Sequence, residues 1–461
     1  MSLSLKVTGV NCEADCAYCY QDALRKANRD WEFDLRKLTG QLEKEYSSGR
    51  FKGSVPFLHG GEALDKDLET LDKILSKVYQ LAKRTSVQTY CRTLTEEHIA
   101  MFKRYNTSVG ISIDGPWPLN ELRKVPGKDG KKMTETVMKN IRRLKDAGIS
   151  VSIICVLHKK NATGKRLERL KDWLKELKSI GITGGRLNPM ISAYYGKEHE
   201  LTRVEAANAW RSLARFVLTE LPGTNWKPIT DAVESLIGKS QGTCIFGQCM
   251  YYMAHAEPVI LPNGETANCL KSGSVNGDVY PRTEQKSFSK EFGQIRYQIL
   301  PQIEQADGGC KGCEYWVNCQ AGCPAAGIDN DWRNKTRFCL AYKALYGEVS
   351  TLIKSLFPAI TLTSDVVGRY KPEELVNGIH SLKFDPFASL REGRRGCGPQ
   401  PEKRPGKQQE GEHTDGGIRH LDSDANHLDS GGKEDNRWVT PTEHIDGGMR
   451  HLDSDIQGGV E

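Results

Sequence analysis

The stretch "LKVTGVNCEADCAYCYQDAL", residues 5–24, starts as a β-like run and passes directly into three cysteines. Cys12, Cys16 and Cys19 stand in a C-x3-C-x2-C spacing. Downstream, the same alternation of short apolar runs and amphipathic stretches continues to about residue 190. The further strand candidates are "SVPFLHG" (54–60), "SVQTYC" (86–91), "SVGISID" (108–114), "SVSIICVL" (150–157) and "GGRLNPM" (184–190). Between them, "DLETLDKILSKVYQLAKR" (67–84) and "TETVMKNIRRLKDAG" (134–148) repeat apolar residues every three or four positions, the period of a helix with one buried face. Alternating β and α units predict an α/β fold with a parallel sheet and helices outside. The sheet is either doubly wound or barrel-like, and in the latter case a partial (β/α)6 TIM-like barrel, since six units are too few for eight strands. Sites in such folds gather at the carboxyl ends of the strands, which is where Cys12 lies.

The 461 residues suffice for two domains and a tail. No run of 18 apolar residues occurs, so no membrane span is expected. The first residues lack the pattern of a secretory signal, which predicts a cytoplasmic protein. In a reducing compartment, 14 cysteines point to metal ligands more than to disulfides. The net charge of +6 divides unevenly: residues 411–461 carry −8 and the remainder +14. The lysines of the basic part lie mostly on helical faces, as in "KRLERLKDWLKELKS" (165–179), a solvated surface. Neither nucleic acid nor a membrane is expected as a partner.

Residues 201–240 read as two helices, and "YKALYGEVSTLIKSLF" (342–357) as another. From Arg391 the chain becomes rich in Gly, Pro and charge, and Trp438 is its last aromatic residue. That composition predicts a linker and a disordered tail. The tail repeats itself: "HTDGGIRHLDSD" (413–424) returns as "HIDGGMRHLDSD" (444–455). H-x-D occurs at His413–Asp415, His420–Asp422, His427–Asp429, His444–Asp446 and His451–Asp453.

Three thiolates leave one corner of a four-iron cluster open for another ligand. A zinc knuckle borrowing a distant fourth ligand is the alternative. The loop resembles that of the radical S-adenosylmethionine (SAM) enzymes, in which it holds a [4Fe–4S] cluster whose open iron binds SAM. Other segments agree with the resemblance. "HGGEAL" (59–64) resembles the GGE motif that binds the SAM amino group, here Gly60, Gly61 and Glu62. "GISIDGP" (110–116) resembles the S-x-D-G segment, with Ser112 and Asp114 facing SAM or substrate. Arg123 corresponds to an arginine near the SAM carboxylate.

A second group, Cys310, Cys313, Cys319 and Cys323, is followed by Cys339 and preceded by Cys244, Cys249 and Cys269. It resembles the SPASM extension of radical SAM enzymes that act on peptides. The resemblance implies two auxiliary clusters: one on Cys310, Cys313, Cys319 and Cys339, the other on Cys244, Cys249, Cys269 and Cys323. Three [4Fe–4S] clusters, SAM and an electron donor such as flavodoxin or ferredoxin follow from it. A pair of zinc sites is the alternative for these cysteines. Cys91 and Cys155 fall in apolar strand patterns and read as buried hydrophobes; Cys397 has no assigned role.

The expected organisation is a radical SAM partial barrel (1–200), a helical bridge (201–243), a Cys-rich SPASM domain (244–345), a helical segment (346–390) and the linker with its H-x-D tail (391–461). Anaerobic sulfatase maturases of this group oxidise Cys or Ser to formylglycine. They typically carry Asp directly after the second cysteine of the extension, where this chain has Leu270. Other members crosslink short, repetitive peptides. The tail fits that description, so the expected reaction is hydrogen abstraction and crosslinking of a peptide, either the chain's own tail or a separate precursor. Spaced His and Asp also bind divalent metals, and an inert acidic extension is a third reading. An iron–sulfur electron carrier with a metal-binding tail is the alternative of another class.

Overall fold

A computed structural model of the chain describes residues 3–22, 25, 31–49, 51, 53–191, 196–239, 259–267, 296–331, 333–375, 378–389 and 391. Met1–Gly398 cluster into one compact unit. The linker and tail beyond Arg391, with every H-x-D unit, lie outside the described residues, as do Cys244, Cys249, Cys269 and Cys397.

The strands are β1 (Ser4–Lys6), β2 (Asp15–Cys16), β3 (Phe57–His59), β4 (Thr85–Thr89), β5 (Thr107–Ser112), β6 (Arg123–Lys124), β7 (Val151–Leu157), β8 (Gly184–Pro189), β9 (Asn225–Lys227), β10 (Val259–Ile260) and β11 (Thr266–Ala267). Nine form one sheet in the order β11-β10-β1-β3-β4-β5-β7-β8-β9. Its pairings are parallel except for the β10–β11 hairpin. The α/β architecture and partial barrel expected from the alternation are present. Helices Leu35–Ser47, Leu68–Ala82, Glu96–Arg104, Gly130–Asp146 and Gly164–Ser179 connect the strands.

Period-two alternation sorts the side chains. On β7, Val151, Ile153, Cys155 and Leu157 are buried, while Ile154 and Val156 line a central cleft. Burial of each large aliphatic side chain contributes about 1.5–3 kcal/mol. Cys91 and Cys155 are fully buried in the core, as their apolar context predicts.

All six expected strands form, but several are shorter than their apolar runs. "LKVTGV" pairs only through Lys6, because Val7–Val10 already turn into the cysteine loop. β9 interrupts the expected pair of helices at Asn225–Lys227 and pairs in parallel with β8. Three residues are too few to show alternation. β10 and β11 come from the Cys-rich segment, yet β10 pairs with β1, Ser4 opposite Val259.

Helix Arg203–Glu220 packs along helix Cys339–Leu356. Arg215 pairs with Glu348 at 2.6 Å and Arg337 with Glu200 at 2.9 Å. These contacts tie the later cysteines to the barrel. No helix among the described residues is long and apolar enough to cross a membrane.

Candidate functional site

The cysteine loop and the glycine loop meet at the ends of β1 and β3. Glu62 N donates to Asn11 O at 3.1 Å. A Cβ on Gly61 would stand 1.7 Å from that same oxygen, and one on Gly60 would stand 2.2 Å from Thr8 Oγ1. Both positions therefore admit only glycine. The clearance serves the contact between the two loops, a more specific reason than closeness to a ligand.

Glu62 is buried. Its carboxylate accepts from Thr89 Oγ1 at 2.5 Å, Tyr90 N at 2.7 Å and Leu64 N at 3.0 Å. Burial raises its pKa, and these three donors oppose the rise. The carboxylate is thus committed to shaping the loop.

Cys12, Cys16, Cys19, Gly60, Gly61, Glu62, Ser112 and Arg123 all line one cleft enclosing about 1570 Å³, its open mouth included. Asp114 does not line it. This corrects the expectation that Asp114 faces SAM or substrate: the side chain is fully buried behind Arg123. Its Oδ1 accepts from Arg123 Nη2 at 3.1 Å and Val156 N at 2.9 Å. Its Oδ2 accepts from Arg123 Nε at 3.2 Å and from the Tyr18 hydroxyl, with His158 Nε2 at 3.5 Å. Burial opposes ionisation, but Arg123, His158 and Tyr18 outweigh it and hold the carboxyl at about 2. Asp114 is a positioning residue for Arg123, whose guanidinium also lies 5.3 Å from the Tyr18 ring centroid. Arg123 belongs to β6, which pairs with the cysteine loop, Cys16 opposite Arg123.

Burial pushes the Cys12 thiol up to about 11 and Cys16 to about 12, and neighbouring thiolates add to both shifts. Among the described residues, no three His, Cys, Asp or Glu side chains converge as one metal ion would require. Three thiols on one loop beside open space are a donor set that a [4Fe–4S] cluster would take, with one iron left open.

The second set converges independently. Cys310, Cys313, Cys319 and Cys339 line one small cavity with Tyr315, Trp316, Tyr342 and Tyr346. Cys313 N donates to Cys310 O at 3.1 Å. Cys319 ends helix Trp316–Cys319, and Cys339 begins helix Cys339–Leu356. Arg296 braces the segment by donating to Gly322 O (2.9 Å) and Ala321 O (2.8 Å). Cys323 is buried but does not line this cavity. Its three expected fellow ligands lie outside the described residues.

Residues not singled out from the sequence complete the main cleft: Tyr18, Tyr20, Gln88, Tyr90, Arg186 and Asn188 among them. Alternation along "GGRLNPM" around the buried Leu187 was the signal for Arg186 and Asn188.

Residues 7–174 match the model of the Radical SAM superfamily. The chain is 26% identical over 356 residues to the serine-type anaerobic sulfatase-maturating enzyme of Bacteroides thetaiotaomicron, covering 69% of this chain and 81% of that one. It is 22% identical over 375 residues to the cysteine-type enzyme of Clostridium novyi, covering 75% and 94%. Its fold is shared with anSMEcpe carrying bound AdoMet (16% identity, TM-score 0.61, 77% of this chain and 98% of that one). It is also shared with Streptococcus suis SuiB (15% identity, TM-score 0.52, 74% and 76%).

Proposed function

We propose that this radical SAM enzyme matures peptides, joining His to Asp within H-x-D segments such as those of its own tail. The observation that carries the reading is the open cleft at the strand ends. It gathers the three-cysteine loop, the Gly60–Glu62 loop and the cation Arg123, and leaves space beyond them. In this reading Cys12, Cys16 and Cys19 hold a [4Fe–4S] cluster, and Gly60, Gly61, Glu62, Ser112 and Arg123 surround SAM. Cys310, Cys313, Cys319 and Cys339 hold a second cluster; Cys244, Cys249, Cys269 and Cys323 hold a third. When bound, these groups supply a hydrogen-abstracting 5′-deoxyadenosyl radical and an acceptor for the surplus electron. A flavodoxin or ferredoxin would supply reductant, and a cytoplasmic setting would keep the thiols reduced.

Relatives of the same fold have been captured with peptides: anSMEcpe with the Cp18Cys peptide and SuiB with the precursor peptide SuiA. The acidic tail complements the basic remainder of the chain. Bond formation between an imidazole carbon and the Asp β-carbon breaks one C–H bond at each. The peptide loses a hydrogen atom from the β-carbon, then a proton and an electron from the ring, for a net loss of two hydrogens.

Tandem mass spectrometry after anaerobic reconstitution, with SAM and reductant, tests this. A loss of about 2 Da for each modified segment, mapped to a His–Asp pair, is expected from two hydrogens; unchanged tail mass overturns it. A second reading, formylglycine formation, is favoured by the similarity to the serine-type enzyme. Leu270, in place of the Asp expected there, weighs against it. Conversion of a Ser- or Cys-containing peptide, with the tail untouched, would establish that reading instead. Absence of 5′-deoxyadenosine would leave the electron-carrier alternative.

A further inference from the structure

Arg186 lies on β8 and faces the cleft, while the next residue, Leu187, is fully buried on the other face. Its backbone pairs with Ile154 on β7 and Lys227 on β9. Among the described residues, Arg186 has no carboxylate, carbonyl or aromatic partner, and its side chain is exposed to the cleft.

The other charges on the lining are committed. Arg123 is held on both Asp114 oxygens. Lys6 Nζ stands 3.4 Å from the Tyr20 hydroxyl. Glu62 is the lining's one acidic residue among those described, and it is spent on Thr89, Tyr90 and Leu64. Among the described residues the lining is therefore cationic, and Arg186 is its cation without a partner. A guanidinium presents a planar fork that matches a carboxylate with two parallel hydrogen bonds.

We propose that Arg186 binds the aspartate carboxylate of the peptide substrate and so selects H-x-D segments. This rests on the peptide-maturase reading. Two carboxylates could reach the cleft, that of the substrate and that of the SAM methionyl group. Arg123, paired through its own strand to the cysteine loop, is the cation placed for the second. Arg186 sits on another wall, with β3, β4, β5 and β7 between its strand and β1 in the sheet. Each H-x-D unit carries the carboxylate two residues after the ring it is to meet. An arginine holding it would place the adjacent β-carbon.

The test uses the full-length chain, reconstituted and loaded with SAM, with Asp415, Asp422, Asp429, Asp446 and Asp453 all changed to Asn so that the tail does not compete. The probe is a fluorescent peptide with the sequence of residues 413–424. Arg186→Gln is expected to weaken its binding roughly tenfold to a hundredfold, the range for a hydrogen bond to a charged group. Asn in place of the peptide's aspartates should cause the same loss, and the two changes together no further loss. Arg186→Lys should recover part of it. Equal binding of Asp and Asn peptides, additive losses, or no binding of the Asp peptide overturns the proposal. So does a loss that falls on SAM affinity instead. If the binding cycle holds but no crosslink forms, only the reaction assigned above fails.

Discussion

The cysteine loop at residues 12–19 and the cysteine set at residues 310–339 use the same thiol in different surroundings. The first follows β1 directly, holds three half-buried cysteines and faces an open cleft. Around it are groups that bind or orient: two glycines pressed on the loop, Arg123, Ser112 and Tyr18. The second gathers four cysteines from a turn and two helix ends, within a cavity walled by Tyr315, Trp316, Tyr342 and Tyr346. Tyr315 and Tyr346 stack at 5.5 Å. Burial lifts Cys310 to about 12 and Cys319 well above the ordinary thiol range. Three cysteines beside open space would suit a cluster that must bind a further molecule. Four cysteines lining one small cavity with aromatic rings would suit one that exchanges only electrons.

Breaking each set separates the two roles. Cys16→Ala should abolish 5′-deoxyadenosine formation, a fall of roughly a thousandfold or more when an essential group is removed. Cys319→Ala should lower peptide modification more than deoxyadenosine formation. Chromatography of deoxyadenosine alongside peptide mass spectrometry reads both. Equal losses in both products for Cys319→Ala would remove the distinction.

Next in size is the ion pair beneath the first set. Arg123→Leu leaves the buried Asp114 carboxylate without its main partner and should cost about 3–5 kcal/mol, read by chemical denaturation. The sign with pH follows from the direction of the shift. Asp114 is held at about 2, below its ordinary 3.8, so its contribution is present above 3.8 and lost as pH falls through about 2. The variant should lose that acid sensitivity.

Two glycines sharpen the contrast in packing. Gly61→Ala places a Cβ 1.7 Å from Asn11 O. It should cost about 3 kcal/mol and weaken SAM binding, because backbone must move. Gly347 sits inside helix Cys339–Leu356, where a Cβ would meet only Tyr315 Oη at 3.6 Å. Gly347→Ala should stabilise by about 0.5–1 kcal/mol through helix propensity. Thermal unfolding of the two variants checks both signs.

The smallest effect concerns the iron-free chain. Cys12 and Cys16 titrate near 11 and 12, above the ordinary 9.0, so their neutral thiols favour the folded state below about 9. That stability is lost as pH rises through 11–12. Iron must displace the same protons, so cluster assembly should run faster at alkaline than at acid pH and release protons. Urea titrations of chelated and reconstituted protein should differ in their alkaline slope.

Much of this was legible in the chain because it is local. The cysteine spacings, the glycine pair before Glu62 and the helical periods are properties of neighbouring residues. They placed the barrel strands and the cysteine loop; the grouping of Cys339, rather than the nearer Cys323, with Cys310, Cys313 and Cys319 came from the SPASM resemblance. β9 and β10 escaped because two or three residues carry no readable period. β10 exists by pairing with β1, more than 250 positions earlier. The role of Asp114 escaped for the same reason: its motif marked it as facing a ligand, yet its partners come from Tyr18, Arg123, Val156 and His158. Arg186 could be assigned to a face by alternation, but its lack of a partner could not. The sequence by itself determined which thiols are available at cluster-like spacings and that the first three follow a strand, since that needs only residue type and spacing. Tertiary structure alone decided which charges are already paired, and so which remain for a ligand, because pairing depends on residues that meet only when the sheet curves around them.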